Sequence, residues 1–159
     1  MAGALSITLL GFAAAPDLRA ETPPDQIKAA GAIPLTTELL DKMDSFIKAV
    51  SADDAAKVEL GAVGKDPSIT PETWGSVISA KCPKAVAIFK TAGLSPDDFA
   101  KAIFAIMAVA MSEDLAKSED ATVKANAAFV TANKDKCDAV FGSFMMLAET
   151  GPASSPANP

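Results

Sequence analysis

A chain of 159 residues, half of them hydrophobic and 6% aromatic, is long enough to fold as one domain with a real core. Twenty acids against 14 bases give a net charge of −6, the only arginine is Arg19, and tyrosine and histidine are absent. Such a balance argues against nucleic-acid or phosphate binding and against attraction to anionic membranes. The missing histidine excludes Ser-His-Asp and Cys-His catalysis and any His-ligated zinc or haem.

Residues 1–20, MAGALSITLLGFAAAPDLRA, read as a secretory signal. Ala4 to Ala15 form a short apolar core. Small residues at Gly11-Phe12-Ala13 and at Ala20 offer cleavage points between 13 and 20. The usual positive n-region is missing, and the competing reading is a buried N-terminal helix. A secretory signal makes the protein periplasmic or secreted. Residues 21–34 hold three prolines and two Gly/Ala pairs and read as a linker or arm.

An all-α domain is expected over 35–149: abundant alanine favours closely approaching helices, and the β-branched and aromatic clusters of strands are missing. The first helix runs from Leu35 to Val50, with Thr36 or Thr37 as cap and Leu39, Met43, Phe46, Ile47 and Val50 on one face. Ser51, Asp53 and Asp54 start a shorter helix through Val58 and Leu60, stopping at Gly61 or Gly64. Thr70-Pro71-Glu72 is a cap-Pro-acid start leading into a helix with Trp74, Val77 and Ile78. Pro83 opens another, with Val86, Ile88 and Phe89, closing at Gly93.

The organising stretch follows. Ser95 is placed to cap, Pro96 sits at the first helical position, and Asp97 and Asp98 oppose the helix's positive end. Ala102 to Met111 contain no polar residue, so this helix, about 96–116, is expected in the centre, surrounded on every side. Ten apolar residues are too few to span a bilayer, and no transmembrane segment is expected in the mature chain. After the polar turn KSEDAT, Val123 to Leu147 form one last long helical region with Phe129, Val130, Val140, Phe141, Phe144 and Leu147 as core. Residues 150–159, GPASSPANP preceded by Thr150, are too polar to order themselves and read as a disordered tail. The whole is a single compact bundle of five or six helices. TPETWGSVISA (70–80) and SPDDFAKAIFA (95–105) share a pattern, which duplication or common capping rules would each produce; common capping is preferred.

Cys82 and Cys137, an even count in a chain that looks exported, are expected to form a disulfide; two free buried thiols or a redox pair are the alternatives. The acid pairs Asp53-Asp54, Asp97-Asp98, Glu113-Asp114 and Glu119-Asp120 fall at helix ends, where the dipole accounts for them without a reaction. Met107, Met111, Met145 and Met146 could hold Cu(I), but methionine in a helical core is more often filler, so no metal or cofactor is expected. Asn126 and Asn133 lie seven apart on one helix face with Phe129 and Val130 between them. A buried amide there needs a partner, either a neighbouring loop that it clasps or a ligand.

The run PKAVAIFKTAGLSPDDFAKAIFAIMAVAM followed by KANAAFVTANKDKCDAVF resembles a group of small exported bacterial proteins of unassigned function. In that group a G-L-[ST]-x-x-[DE]-[FY] helix start precedes an N-x-x-F-V-x-x-N helix. Here these motifs fall at Gly93 to Phe99 and at Asn126 to Asn133, within a likeness covering Pro83 to Phe141. The resemblance implies an all-α exported domain and brings no activity with it.

The expected role is therefore a non-catalytic binding module for a small apolar ligand or a protein partner, with Trp74, Phe104, Met107, Asn126, Phe129 and Asn133 as ligand or clasp positions. A structural or assembly protein of the envelope is the alternative. An enzyme would need acids or a lysine converging in a cleft with strongly shifted ionisation.

Overall fold

The computed structural model describes residues 24–64 and 70–149. The expected signal and the C-terminal tail lie outside the described residues. Within them the chain is all-α: α1 (Pro24–Ala30), α2 (Thr37–Ser51), α3 (Asp54–Gly64), α4 (Pro71–Lys81), α5 (Pro83–Thr91), α6 (Pro96–Met111), a 3₁₀ turn (Glu113–Lys117), α7 (Ala121–Ala132) and α8 (Lys134–Glu149). These eight helices exceed the five or six expected. The surplus comes from two places, the proline-rich arm and a break in the last long region.

The helix starts follow the capping chemistry written in the sequence. Thr36 Oγ1 accepts from the Leu39 N–H at 3.1 Å, and Ser95 Oγ accepts from the Asp98 N–H at 3.0 Å. The Thr70 N–H donates to Thr73 Oγ1 at 2.9 Å ahead of Pro71. Asp120 Oδ1 accepts from the N–H groups of Thr122 and Val123 at 2.8 and 3.0 Å. Just past the end of α5 stands Gly93, whose φ of 65° a side chain would resist. The Gly93 N–H donates to Lys90 O and the Leu94 N–H to Phe89 O, the paired bonds of a Schellman stop.

Cys82 ends α4 and begins α5, so the N-terminus of α5 has no cap of its own. Glu59 on α3 supplies one: its Oε2 accepts from the N–H groups of Lys84 and Ala85 at 2.9 and 3.2 Å.

Aromatic rings fill the middle of the bundle. Phe46 stacks on Phe89 with centroids 3.7 Å apart, Phe99 meets both edge-on, and Trp74 and Phe144 close the group around Phe99. The α2 face buries Leu40, Met43, Phe46, Ile47 and Val50; Leu39, expected in the core, is only half-buried and Leu40 takes its place. Val58 on α3 is half exposed, with Ala56, Leu60 and Val63 turned inward instead.

Helix α6 packs against α1, α4, α7 and α8, so its central place is as expected. Its complete enclosure is not. Phe99, Ala102, Ile103, Ala105 and Ile106 are buried, whereas Phe104 and Met107 are half-buried and Met111 is 67% exposed. The helix also ends at Met111 and not near 116, with Ser112 turning the chain into the 3₁₀ segment. One side of α6 faces α1, and seven residues at 1.5 Å each are too short to cover it.

The arm is thus helical over Pro24–Ala30, with Ala30 buried against Ala108, Leu115 and Val123. The last long region is broken at Asn133, which ends α7, while its carbonyl accepts from the N–H groups of Lys136 and Cys137 as α8 begins. No described helix is long and apolar enough to cross a membrane.

Candidate functional site

The residues singled out in the sequence do not converge on one site. Trp74 is buried in the aromatic core, stacked on Phe99 at 5.7 Å. Phe129 is half-buried and packs on the main core. Asn133 Nδ2 donates to Phe129 O at 2.9 Å and secures the end of α7.

Asn126 is a clasp. It is 1% exposed; Oδ1 accepts from the Leu35 N–H at 2.8 Å, while Nδ2 donates to Ala30 O at 2.7 Å and Ile33 O at 2.8 Å. Both amide hydrogens are thereby committed to the backbone connecting α1 and α2.

Phe104 lines a cleft. This opening of about 480 Å³ lies between α1, the start of α4 and the exposed side of α6. Ala29, Ala32 and Phe104 form its apolar surface, and Asp25, Lys28, Thr70, Glu72, Asp97 and Lys101 stand around them. Met107 is half-buried one turn further along α6.

The charged rim is largely self-neutralised. Lys101 Nζ lies 2.6 Å from Asp97 Oδ2 and Lys28 Nζ lies 3.8 Å from Glu72 Oε1. The Glu72 carboxyl is held below its ordinary range, chiefly by its own backbone N–H, with the Thr70 hydroxyl and Lys28 adding to the effect. The hydrogen bond from Lys101 to Asp97 raises the lysine above its ordinary value. Both shifts hold the charged forms in place.

Sequence reasoning missed most of this cleft because one of its walls belongs to α1. The usable signals were the Asp97–Lys101 spacing of four and the acids opening the helices.

Cys82 and Cys137 do not form the expected disulfide; both are free and buried. Cys82 lies at the junction of α4 and α5, and Cys137 in the first turn of α8. Phe89 stacks on Phe46, and Gly93 lies beside Lys42, so α5 runs antiparallel to α2 and its start at Cys82 falls near the end of α2. Lys136, next to Cys137, pairs with Asp41 near the beginning of α2. Cys82 Sγ is turned to the Glu59 carbonyl on α3 and not to a second sulfur.

Burial, with Glu59 adding to it, pushes the Cys82 thiol up from 9.0 to about 11, and burial also raises Cys137. Cys82 Sγ donates to Glu59 O at 3.5 Å. Such thiols are poor nucleophiles at neutral pH, so iodoacetamide is expected to leave native protein unmodified and to label both cysteines in urea. The unfolded Cys82 thiol loses its proton near pH 9 and the folded one near 11, so the folded state holds the proton more tightly and stability falls as pH rises between these values. By about pH 10 the loss should reach roughly 1 kcal/mol, and Cys82→Ala should remove that part of the slope in urea titrations.

Among the described residues no cluster of three or more His, Cys, Asp or Glu is placed to hold a metal ion. No family model matches the chain, and comparisons with curated proteins and with solved structures likewise give no match.

Proposed function

We propose that the protein is a non-catalytic binding module acting outside the cytoplasm, whose cleft between α1, α4 and α6 receives the apolar part of a small ligand. The observation that carries this reading is Phe104: a large apolar side chain left half-buried at an opening of about 480 Å³, flanked by two alanines. Rim charges already paired with one another orient polar groups without presenting a reactive one. A catalytic acid at neutral pH needs its pKa raised and a catalytic lysine needs it lowered, the reverse of the directions at Glu72 and Lys101. The export part of the proposal rests on the signal-like pattern of residues 1–20, and N-terminal sequencing of periplasmic or culture material tests it.

The binding test is fluorescence titration of the full chain with N-phenyl-1-naphthylamine, an apolar probe that brightens on leaving water. Phe104→Glu should weaken binding by about tenfold or more. Ala32→Arg, at an exposed position on the rim, should do the same without touching the core. Absence of probe binding, or binding indifferent to both substitutions, would overturn the proposal. Mass spectrometry of protein purified gently from its host would then identify the natural ligand.

An assembly role in the envelope is the competing reading, favoured by the exposure of Met111, Met145 and Met146. It requires self-association or partner capture that Met146→Lys weakens, with no dependence on Phe104.

A further inference from the structure

The cleft has an unequal pair of walls. On one side stand α6, with sixteen residues, and α4, with eleven, both built into the aromatic core. The other side is α1, with seven residues, of which only Ala30 is buried. A helix of that length does not hold itself together in water and depends on what it docks against. It lies along α6 and touches α7, but its apolar burial is slight. Ile27 is 36% exposed, and Pro24, Asp25 and Lys28 are exposed as well. Its one ion pair across the cleft, Lys28 with Glu72, joins two side chains 74% and 66% exposed, where solvent leaves little attraction.

The firm attachment is at the other end. Asn126 holds Ala30 O, Ile33 O and the Leu35 N–H, all within six residues and buried or partly buried. Within that stretch Gly31 lies so close to α7 that a Cβ would stand 3.0 Å from Val123 Cγ2.

Helix α1 also separates two apolar regions. Ala29 lines the cleft and packs against the small cluster of Ala30, Ala108, Leu115 and Val123. Lifting α1 would therefore join the Phe104 floor to Ala108 and its neighbours along α6.

From this asymmetry we infer that α1 is a strap over the cleft: it opens as a unit about the Asn126 clasp, exposing a longer apolar floor, and closes when the cleft is filled. Its role as a gate rests on the binding reading above; its local opening does not. The large core helices stay in place during this motion, because none of the aromatic contacts involves α1.

Hydrogen exchange on the full chain tests both parts. In the free protein the α1 amides should exchange about tenfold or more faster than those of α6 and α7, at a rate insensitive to low urea, as local opening requires. Saturating N-phenyl-1-naphthylamine should slow α1 selectively. Gly31→Val, outside the cleft lining, should hasten α1 exchange and probe release while leaving α6 unchanged. If α1 exchanges only with global unfolding, the strap is refuted. If α1 opens locally and the probe binds without slowing it, the gate is refuted. Local opening with no probe binding at all supports the hinge and removes the binding reading instead.

Discussion

Replacing Asn126 by leucine is expected to cost about 3 kcal/mol, through loss of hydrogen bonds and not of volume. The amide is 1% exposed and serves three backbone groups that lie 91 to 96 residues away in sequence. Leucine leaves the Leu35 N–H and the carbonyls of Ala30 and Ile33 without it. Leu35 and Ala30 are buried, so water replaces the amide poorly there, while half-buried Ile33 is rehydrated more easily. Asn126→Asp separates the parts of the clasp. It keeps an acceptor for Leu35 but turns an oxygen toward two carbonyls. The introduced carboxyl should have a raised pKa when folded, so this variant is least stable at neutral pH and regains stability as pH falls through that value. Urea titrations followed by the fluorescence of the single tryptophan and by far-UV circular dichroism measure both effects. A loss well under 1 kcal/mol for Asn126→Leu would mean that packing alone holds the α1–α2 connection.

That clasp also marks how far sequence reasoning reached. Asn126 was legible as a buried amide in need of a partner, but its partners were not, because bare backbone carbonyls 93 and 96 residues away leave no trace in residue type. Local chemistry was legible throughout: Thr36 and Ser95 cap, Pro71, Pro83 and Pro96 open helices, and Gly93 closes one. The break at Asn133 was hidden because neither proline nor glycine marks it. The asparagine ends α7 by bonding back to that helix's own Phe129 carbonyl. Helix α1 was read as an arm because prolines dominate its surroundings and its contacts are made by alanines, which carry no amphipathic signal. Cysteine count and compartment alone pointed to a disulfide, and neither says where a buried thiol turns; Cys82 turns to the Glu59 carbonyl. For the cleft, Phe104 was named and the facing wall was not.

Gly75→Ala tests the contact on which the cleft's rigid wall depends, and it should destabilise the protein by about 2 to 3 kcal/mol. A Cβ at this position would lie 2.7 Å from Asp97 Cα and 2.9 Å from Asp97 N. Both are backbone atoms in the first turn of α6, so relief requires α4 and α6 to move apart as bodies. The movement would pull at the stacking of Trp74 on Phe99, at 5.7 Å and 27°, the aromatic positions of the two similar helix starts. Helix propensity acts in the opposite direction, because alanine is favoured over glycine by up to about 1 kcal/mol in a helix interior. The sign of the result therefore decides whether close approach or backbone entropy governs the site. Gly142→Ala in α8 supplies the contrast: nothing lies within 4 Å of its Cβ position, and it should stabilise by about 0.5 to 1 kcal/mol. Finding that both variants gain stability would show that α4 and α6 are not in backbone contact, and the cleft would lose the fixed wall against which α1 closes. If Gly75→Ala loses stability and shifts the tryptophan emission while Gly142→Ala does neither, the spacing of α4 and α6 is set by the missing side chain. Asp97 and Lys101, which ride on that same turn of α6 and the next, then owe their places on the rim to a glycine that does not line the cleft.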